Sequence, residues 1–552
     1  MAVPAIPDRE LTFPKLTDEQ IARLMPIGVR RNVAQGVIIF DQGDLHRNFF
    51  VILTGRVEVV STSSGGEVPV ITLNPGEFTG EVDMLSGRRS LVRARAETDC
   101  EVLEIDPANL RRIVQTDAEL SQVLLGAFVR RRAQIIAQSI GGPVLIGSGH
   151  SADTLRLKEF LSRNGHPYVY LDVERDAEVQ ALLERFAIGP SEVPVVICNE
   201  RGALRNPTNA EVARGLGFNA DIEAGQIHDV IVVGAGPSGL AAAVYAASEG
   251  LDVLVLESTA PGGQAGSSSR IENYLGFPTG ITGHDLAARA FVQAEKFGAQ
   301  VAIASQAAQL KCERRPFSIE CSGGEIALGH TVIIASGVEY RRLSLPNLTR
   351  FEGVGVYYGA TFIEAQLCGG EEVIIVGGGN SAGQAAVFLA TVARHVHVLV
   401  RAAGLADSMS RYLIRRIEDC GNITVRPRTE VIGLEGDGRL ERVTWKSRDA
   451  EAAETREIRH LFSMTGANPN TSWLRGCVAV DQKQFIKTGA DLLPEDLERA
   501  RWTLRRQPYL FETSLPHVFA VGDVRAGSVK RVASAVGEGS VAVQLIHKSL
   551  AE

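Results

Sequence analysis

The sequence predicts a multidomain chain: an N-terminal β-barrel or jelly roll, a compact α/β unit, then two Rossmann-like α/β domains. Three observations predict it. Short β-rich runs separated by glycine turns fill the first hundred or so residues. A strand–helix alternation follows over 143–215. Two glycine fingerprints, at 234–239 and 377–382, each lie between a strand and a helix. A length of 552 residues is also too great for one ordinary core.

Composition bounds the function. The apolar content of 45% and charged content of 22% are those of an ordinary globular protein. A net charge of -8 argues against a general nucleic-acid binder. Seven cysteines lie scattered with no C-x-x-C pair, which predicts no disulfide framework and fits a reducing cytoplasm. No charged start precedes an apolar run, so no signal peptide is expected. No apolar stretch reaches about 18 residues, so no membrane span is expected.

The elements follow in order. VIIF (37–40), FFVIL (49–53) and VEVV (57–60) alternate with turns at Gly43, Gly55 and Gly65-Gly66, the spacing of a small β-barrel. A helical stretch from about 110 to 140 ends at the breaker Gly141-Gly142-Pro143. Strand PVLI, helix LRLKEFL, strand YVYLDV, helix VQALLERF (179–186) and strand PVVIC then form the α/β unit. Residues 215–227 read as a linker. The expected segments are 1–141, 142–218, 226–340, 341–465 and 466–552.

In the first fingerprint, strand DVIVV runs into Gly234-Ala235-Gly236-Pro237-Ser238-Gly239 and a helix. The next strand, DVLVLE, ends at Glu257, 23 positions after Gly234. Gly234 permits the tight turn, Gly236 lets a pyrophosphate approach the backbone, and Gly239 lets helix and strand pack closely. The helix N-terminus offers free amides to the phosphates, and Glu257 can accept from a ribose diol. In the second fingerprint, EVIIV leads into Gly377-Gly378-Gly379-Asn380-Ser381-Ala382. Its second strand, VHVLV, ends at Arg401 rather than at an acid. An arginine there suits the 2′-phosphate of NADPH; a solvated surface arginine is the plain alternative.

Over about 228–552 the chain resembles the low-molecular-weight thioredoxin reductase family. The resemblance rests on GAGPSG, PGGQAGSSSRIENYLGFPTGITG (261–283), VIIASG (332–337), GGGNSAGQAA (377–386) and VFAVGDVRAGSVKRVASAVGEGSVA (518–542). It implies bound FAD and NADPH. It places Gly263, Gln264 and Asn273 in the FAD site, with Ala335 and Gly337 in the connecting segment. Gly522 and Asp523 would lie near the flavin's ribityl-phosphate region, and Arg531, Val532 and Ala533 near its ring. The family carries glutamine where Val532 stands. Asn380, Ser381 and Ala382 belong to the implied NADPH site. The resemblance further implies a homodimer.

The family's redox pair, usually in Y-C-A-T-C, falls on Tyr358-Gly359-Ala360-Thr361-Phe362, so both sulfurs are absent. Disulfide reduction needs an attacking thiolate and a resolving thiol, and glycine and phenylalanine supply neither. An aromatic residue there could instead pack on the flavin ring. Cys368 stands alone nearby.

Residues 143–215 resemble a glutaredoxin/thioredoxin fold. The strand PVLI, the helix after Ser151 and Val193-Pro194 at the cis-proline position carry the resemblance. The active-site cysteines fall on Ser151-Ala152-Asp153-Thr154, so this unit is expected to be redox-inert, a spacer or docking domain. Residues 16–140 resemble the cyclic-nucleotide-binding domain of catabolite activator protein, through FTGEVDMLSGRRSLVRARA (78–96). The resemblance implies ribose contacts from Gly80 and Glu81, and phosphate contacts from Arg89 and Ser90. Asp83 departs from the family's small residue there; a barrel retained without ligand is the alternative. No helix-turn-helix follows, which disfavours a DNA-binding regulator.

Two classes follow from these resemblances. One is an NADPH-dependent FAD oxidoreductase tuned by its N-terminal domain, with an unidentified acceptor. The other is a redox or nucleotide sensor that binds FAD and NADPH with little turnover. No catalytic residue is assigned.

Overall fold

The computed structural model describes residues 9–45, 47–63, 66–81, 83–176, 179, 183, 188–189, 192–198, 202–218 and 222–552. Two antiparallel sheets form the N-terminal part. One has the order β1–β7–β3, from Val29–Val33, Cys100–Ile105 and Phe49–Thr54. The other has the order β2–β6–β4–β5, from Ile38–Phe40, Arg93–Ala96, Val57–Ser63 and Gly66–Leu73. Alternation along β3 buries both of its faces. Phe50 and Ile52 join the core shared with the second sheet. Phe49 and Val51 join a core made with the helices.

Those helices are α1 (Arg9–Thr12), α2 (Asp18–Leu24), α3 (Asp83–Ser86), α4 (Pro107–Thr116) and α5 (Ala118–Ala137). Asp106 and Asp117 cap α4 and α5 by accepting from the amides of Asn109 and Leu120. The two helices thus start abruptly and stack Leu110, Leu120, Leu124 and Phe128 on β3.

The next sheet has the order β11–β10–β8–β9, from Ala203–Arg205, Val195–Ile197, Val144–Gly147 and Val169–Asp172. β8 runs parallel to β9 through α6 (Ala152–Arg163), and β10 is antiparallel to β8. The Val193–Pro194 peptide just before β10 is cis. Helix α7 (Asn209–Leu216) ends on Gly217, whose left-handed backbone (φ 67°) terminates the helix. Most of the helix expected over 179–186 lies outside the described residues. The core of this unit (Leu157, Phe160, Val212, Phe218) runs on into Phe291 and Ile303 of the following sheet.

That following sheet has seven strands. β14 (Gln300–Ile303), β13 (Val253–Glu257), β12 (Ile227–Val233), β17 (Ile326–Ile334) and β28 (Val518–Ala520) pair in parallel. β16 (Phe317–Cys321) and β15 (Ala307–Lys311) continue the sheet antiparallel. Helices α8 (Pro237–Ser248), α9 (Gly263–Gly266) and α10 (Gly283–Phe297) follow the first two parallel strands. The C-terminal α15 (Val532–Leu550) packs on α8, and only a glycine at Gly539 allows this, because a Cβ there would meet the Ser238 carbonyl oxygen at 2.2 Å.

The chain leaves this layer at β18 (Val338–Tyr340) and returns at β27 (Ala467–Pro469), which pair antiparallel. Between them lies a parallel sheet of order β19–β26–β20–β21–β22, from Val356–Tyr357, His460–Ser463, Glu372–Val376, His395–Val400 and Ile423–Pro427. Its helices are α11 (Phe362–Leu367), α12 (Asn380–Leu389) and α13 (Arg411–Asp419). β23 (Thr429–Glu435), β24 (Arg442–Ser447) and β25 (Glu454–Arg456) form a smaller antiparallel sheet beside it. Helix α14 (Pro494–Ala500) follows the return strand.

The cysteines correct one expectation. Cys312 and Cys477 form a disulfide, with Cα atoms 6.1 Å apart across 165 residues of sequence. Spacing could not reveal it, because the partners meet only when the chain returns through β27 to the end of β15. Among the described residues no helix is long and apolar enough to cross a membrane.

Candidate functional site

A cleft of about 1260 Å³ is lined by the first fingerprint, by residues that follow β13, β17 and β20, and by the start of α15. Its floor is the turn from β12 to α8. Gly234 has φ 105°, and a Cβ there would meet the Ala335 carbonyl oxygen at 2.4 Å. Gly239 is tighter still, with a Cβ falling 1.8 Å from the Gly234 carbonyl oxygen. Both glycines serve close packing. Gly236 differs, because a Cβ there would meet nothing within 4 Å. It caps α8 without a side-chain hydrogen bond and faces the cleft beside Pro237 and Ser238. The first-turn amides and helix dipole are thus presented to the space an anion would enter.

Glu257 ends β13 at 6% exposure. Its Oε1 accepts from the amides of Thr259 (2.8 Å) and Ala260 (3.1 Å), and its Oε2 from that of Ala235 (2.8 Å). The carboxylate therefore braces the turn, and Oε2 keeps one acceptor position for a hydroxyl. Gly263 (φ 54°) lies against the same turn, a Cβ there falling 3.1 Å from Gly236 Cα. Gln264 donates to the Val338 carbonyl at 2.5 Å. Asn273, Ala335 and Gly337 complete this wall, and Ser336 exchanges hydrogen bonds with Asn470.

Asp523, Arg531 and Val532 line the opposite wall. Burial pushes the Asp523 carboxyl up, against the pull of Lys530, whose ammonium donates to the Asp523 carbonyl at 3.0 Å. Gly522 is structural: its φ is 74°, and a Cβ would meet Ser238 Oγ at 2.5 Å. Ala533 is exposed and lies outside the cleft lining, because the first turn of α15 rotates it away from Val532.

From the second fingerprint, Asn380 and Ser381 reach the cleft. Asn380 Oδ1 accepts from the Ser410 amide at 2.8 Å, and Tyr340 bonds Ser381. Gly377 (φ 149°) packs on the Met464 carbonyl, Gly379 caps α12, and Ala382 is fully buried beneath it. Arg401 follows β21, exposed and without an ion pair among the described residues.

Tyr358, Gly359 and Thr361 line the same cleft. Thr361 caps α11 and shares its hydroxyl with Glu364, whose carboxyl burial pushes up. The side chain of Phe362, and with it the expected aromatic packing, lies outside the described residues. Cys368 is fully buried, and burial drives its thiol up to about 12. It therefore offers no thiolate near neutral pH.

Helix α6 was expected from the sequence, but its place in the cleft was not. Ala152, Leu155, Arg156, Glu159 and Arg163 all line the cleft. Leu155 packs on the core around β20, and Ala152 faces Gly353. Their helical spacing was legible, but nothing local marks what a helix face will cover.

The cyclic-nucleotide candidates occupy a separate place, and their polar groups are engaged within the protein. Ser90 donates its amide to the Asp44 carbonyl (3.0 Å) and its hydroxyl to the Val92 carbonyl (2.6 Å). Arg89 donates to the Gly43 carbonyl at 3.0 Å and packs on Gly217. Gly80 (φ 102°) gives its carbonyl to Arg131. Glu81 is buried between Arg47 (3.6 Å) and Arg132 (3.5 Å). Burial beside Asp83 pushes Glu81 up, while Arg132 at 2.8 Å holds Asp83 low. An anion entering here must displace these internal contacts.

Beside this cassette lies a buried junction that the sequence did not disclose. The Arg88 guanidinium lies over Phe218 (5.3 Å) and Phe291 (5.0 Å). Glu295 of α10 is buried next to it with no partner for Oε2 among the described residues, and burial pushes its carboxyl up to about 8. His166 is driven down to about 3 and stays neutral.

Comparison with known proteins places this geometry. A family model described as pyridine nucleotide-disulphide oxidoreductase matches residues 228–539, and a cyclic nucleotide-binding domain model matches 30–117. NADPH-dependent thioredoxin reductase 3 of Arabidopsis thaliana is 32% identical over 57% of this chain and 57% of its own length. The chain thus spans little more than half of that relative. Thioredoxin reductase of Mycolicibacterium smegmatis is 31% identical over 59% of this chain and 97% of its own. The solved thioredoxin reductase of T. acidophilum superposes with a TM-score of 0.52 at 27% identity, covering 59% of this chain and 99% of that one.

Proposed function

The chain belongs to the pyridine nucleotide-disulphide oxidoreductase family, and from that premise we propose that it is an NADPH-dependent FAD oxidoreductase whose electrons leave without a redox disulfide in the reductase part. One observation carries the second half of the reading: Gly359 and Phe362 stand where the resembled family has its sulfurs, and the nearby Cys368 is buried with its thiol protonated.

The residues fit FAD. Gly236 leaves open backbone at the start of α8, Glu257 Oε2 has room for a hydroxyl, and Gly263, Gln264, Asn273, Ala335, Gly337, Asp523, Arg531 and Val532 surround the remaining length of the cleft. When bound, FAD supplies the hydride-accepting ring. Asn380 and Ser381 orient the pyridine nucleotide on the same cleft, and Arg401 offers a cation at the end of β21 for a 2′-phosphate. Asp523, whose carboxyl burial pushes up, would line the part of the cleft that takes the flavin's ribityl-phosphate region.

We read the segments as 1–141, 142–218, 226–340, 341–465 and 466–552. The β8–α6–β9 crossover, the antiparallel β10–β11 pair and cis-Pro194 support a thioredoxin-like second segment. The N-terminal segment is read as a cyclic-nucleotide site that regulates turnover; the junction of Arg88, Phe291 and Glu295 supports a mechanical link to α10. The assembly is a homodimer, to be checked by light scattering.

The test is anaerobic stopped flow of flavin reduction beside a thioredoxin-linked disulfide assay. Fast reduction by NADPH with negligible thioredoxin turnover is expected. Thioredoxin turnover abolished by Cys368→Ser would overturn the reading. Ferredoxin, quinones, ferricyanide and oxygen are then screened as acceptors.

A further inference from the structure

We propose that Arg163, contributed by the second segment, which lacks the active-site cysteine pair of the fold it resembles, holds the diphosphate of the nucleotide in the cleft. The proposal rests on the FAD reading above. Arg163 is the last residue of α6, and its Nη2 donates to the Gly263 carbonyl at 2.8 Å. Gly263 lies directly on Gly236, the one fingerprint glycine that faces open space. A Cβ on Gly266 would lie 3.9 Å from the same Nη2. The guanidinium thus sits on the turn that closes over the phosphate-accepting end of α8, and it lines the cleft with that turn.

Its donors are underused. Nε is buried without a partner among the described residues. Nη1 has only Glu159, at 3.3 Å. A guanidinium has five N–H donors; with Nε sealed from the cleft, about two, one on each terminal nitrogen, remain for a ligand. A diphosphate, with several charged oxygens in reach of a planar fork, is the chemistry that would take them. The neighbouring Arg156 is spent on Asp153, Asn209 and the Pro207 carbonyl. The start of α8 supplies amides and a dipole but no formal charge, which Arg163 adds.

The end of α6 that carries this side chain is also held in place before any cofactor arrives. Asn164 donates to the Phe160 and Thr259 carbonyls at 2.8 and 3.1 Å, and Phe160 stacks on Phe218 at 5.7 Å. Ordering cost is therefore met by the fold rather than by the ligand. A segment that has lost both sulfurs keeps a role as a clamp on the cofactor.

The experiment uses full-length chain stripped of flavin and titrated with FAD, with fluorescence as readout, alongside melting of the apoprotein. Arg163→Ala should weaken FAD binding roughly 10- to 100-fold, and Arg163→Lys should fall between. Asn164→Ala, which removes a neighbouring contact to Thr259 but no charge, should weaken FAD binding by at most a few-fold, far less than Arg163→Ala. Unaltered FAD affinity in Arg163→Ala overturns the proposal, whatever happens to the apoprotein melt. An equal loss in Asn164→Ala also overturns it, because docking of α6 rather than charge would then explain the effect. Wild-type chain that takes up no FAD at all defeats the FAD reading itself, an outcome distinct from either.

Discussion

The Arg88 guanidinium stands 5.0 Å from the ring centroid of Phe291 and joins the nucleotide cassette to α10. It also lies over Phe218 from the second segment. Arg88 is 7% exposed, so these contacts are dry. Arg88→Ala removes two ring contacts and leaves the acids Asp83 and Glu295 with less positive charge. A loss of about 2–4 kcal/mol is expected, measured by urea unfolding.

Glu295 makes that stability depend on pH. Burial raises its folded value to about 8 from an ordinary 4.5, with Asp83 adding to the rise and Arg88, Arg132 and Arg111 opposing it. At pH below 4.5 both folded and unfolded chains hold the proton. Between 4.5 and 8 the unfolded chain releases it while the folded chain keeps it, so stability falls as pH rises. Glu295→Gln should remove this slope. Unfolding midpoints at pH 6 and pH 9 should therefore differ less in the variant than in the wild type.

Gly236 and Gly239 should respond in opposite ways to the same substitution. Gly236→Val enters open space and should leave the apoprotein folded but without flavin colour. Gly239→Val drives a Cβ to within 1.8 Å of the Gly234 carbonyl oxygen and should destabilise the fold itself. Absorbance near the flavin bands, paired with a melt of each purified variant, separates the two.

Arg401 should set cofactor preference. Its exposed guanidinium has no ion pair among the described residues that a 2′-phosphate would need to displace. Arg401→Ala should cost about 1.5–3 kcal/mol in NADPH binding and leave NADH use nearly unchanged. Equal losses with both cofactors would show that Arg401 does not read the phosphate.

Much of this architecture was legible because its demands are local. Gly234 and Gly239 must be glycine for the β12–α8 turn to exist, so the fingerprint in the sequence already specified the turn. The identities of Gly359 and Phe362, on which the proposal of a flavin without a redox disulfide rests, could likewise be read directly. What escaped was made by packing between distant segments. Arg163 gains its place only when α6 docks on the Gly263 turn, and Cys312 meets Cys477 only after the chain returns through β27. Glu81 and Ser90 were legible as a motif. Their partners Arg47, Arg132 and Asp44 come from elsewhere in the fold, so their internal engagement was not.

The junction of Asp83, Arg88, Arg132, His166 and Glu295 draws on three of the proposed segments at once. Pulling any one away would wet a charge network whose members compensate one another only while dry. The interface core that carries Phe160 and Phe218 into Phe291 would open with it. These segments should accordingly melt as a single cooperative unit. Calorimetry should give one transition where independent beads on a string would give several, and a fragment that begins at 226 should expose Phe291 and Glu295 and aggregate.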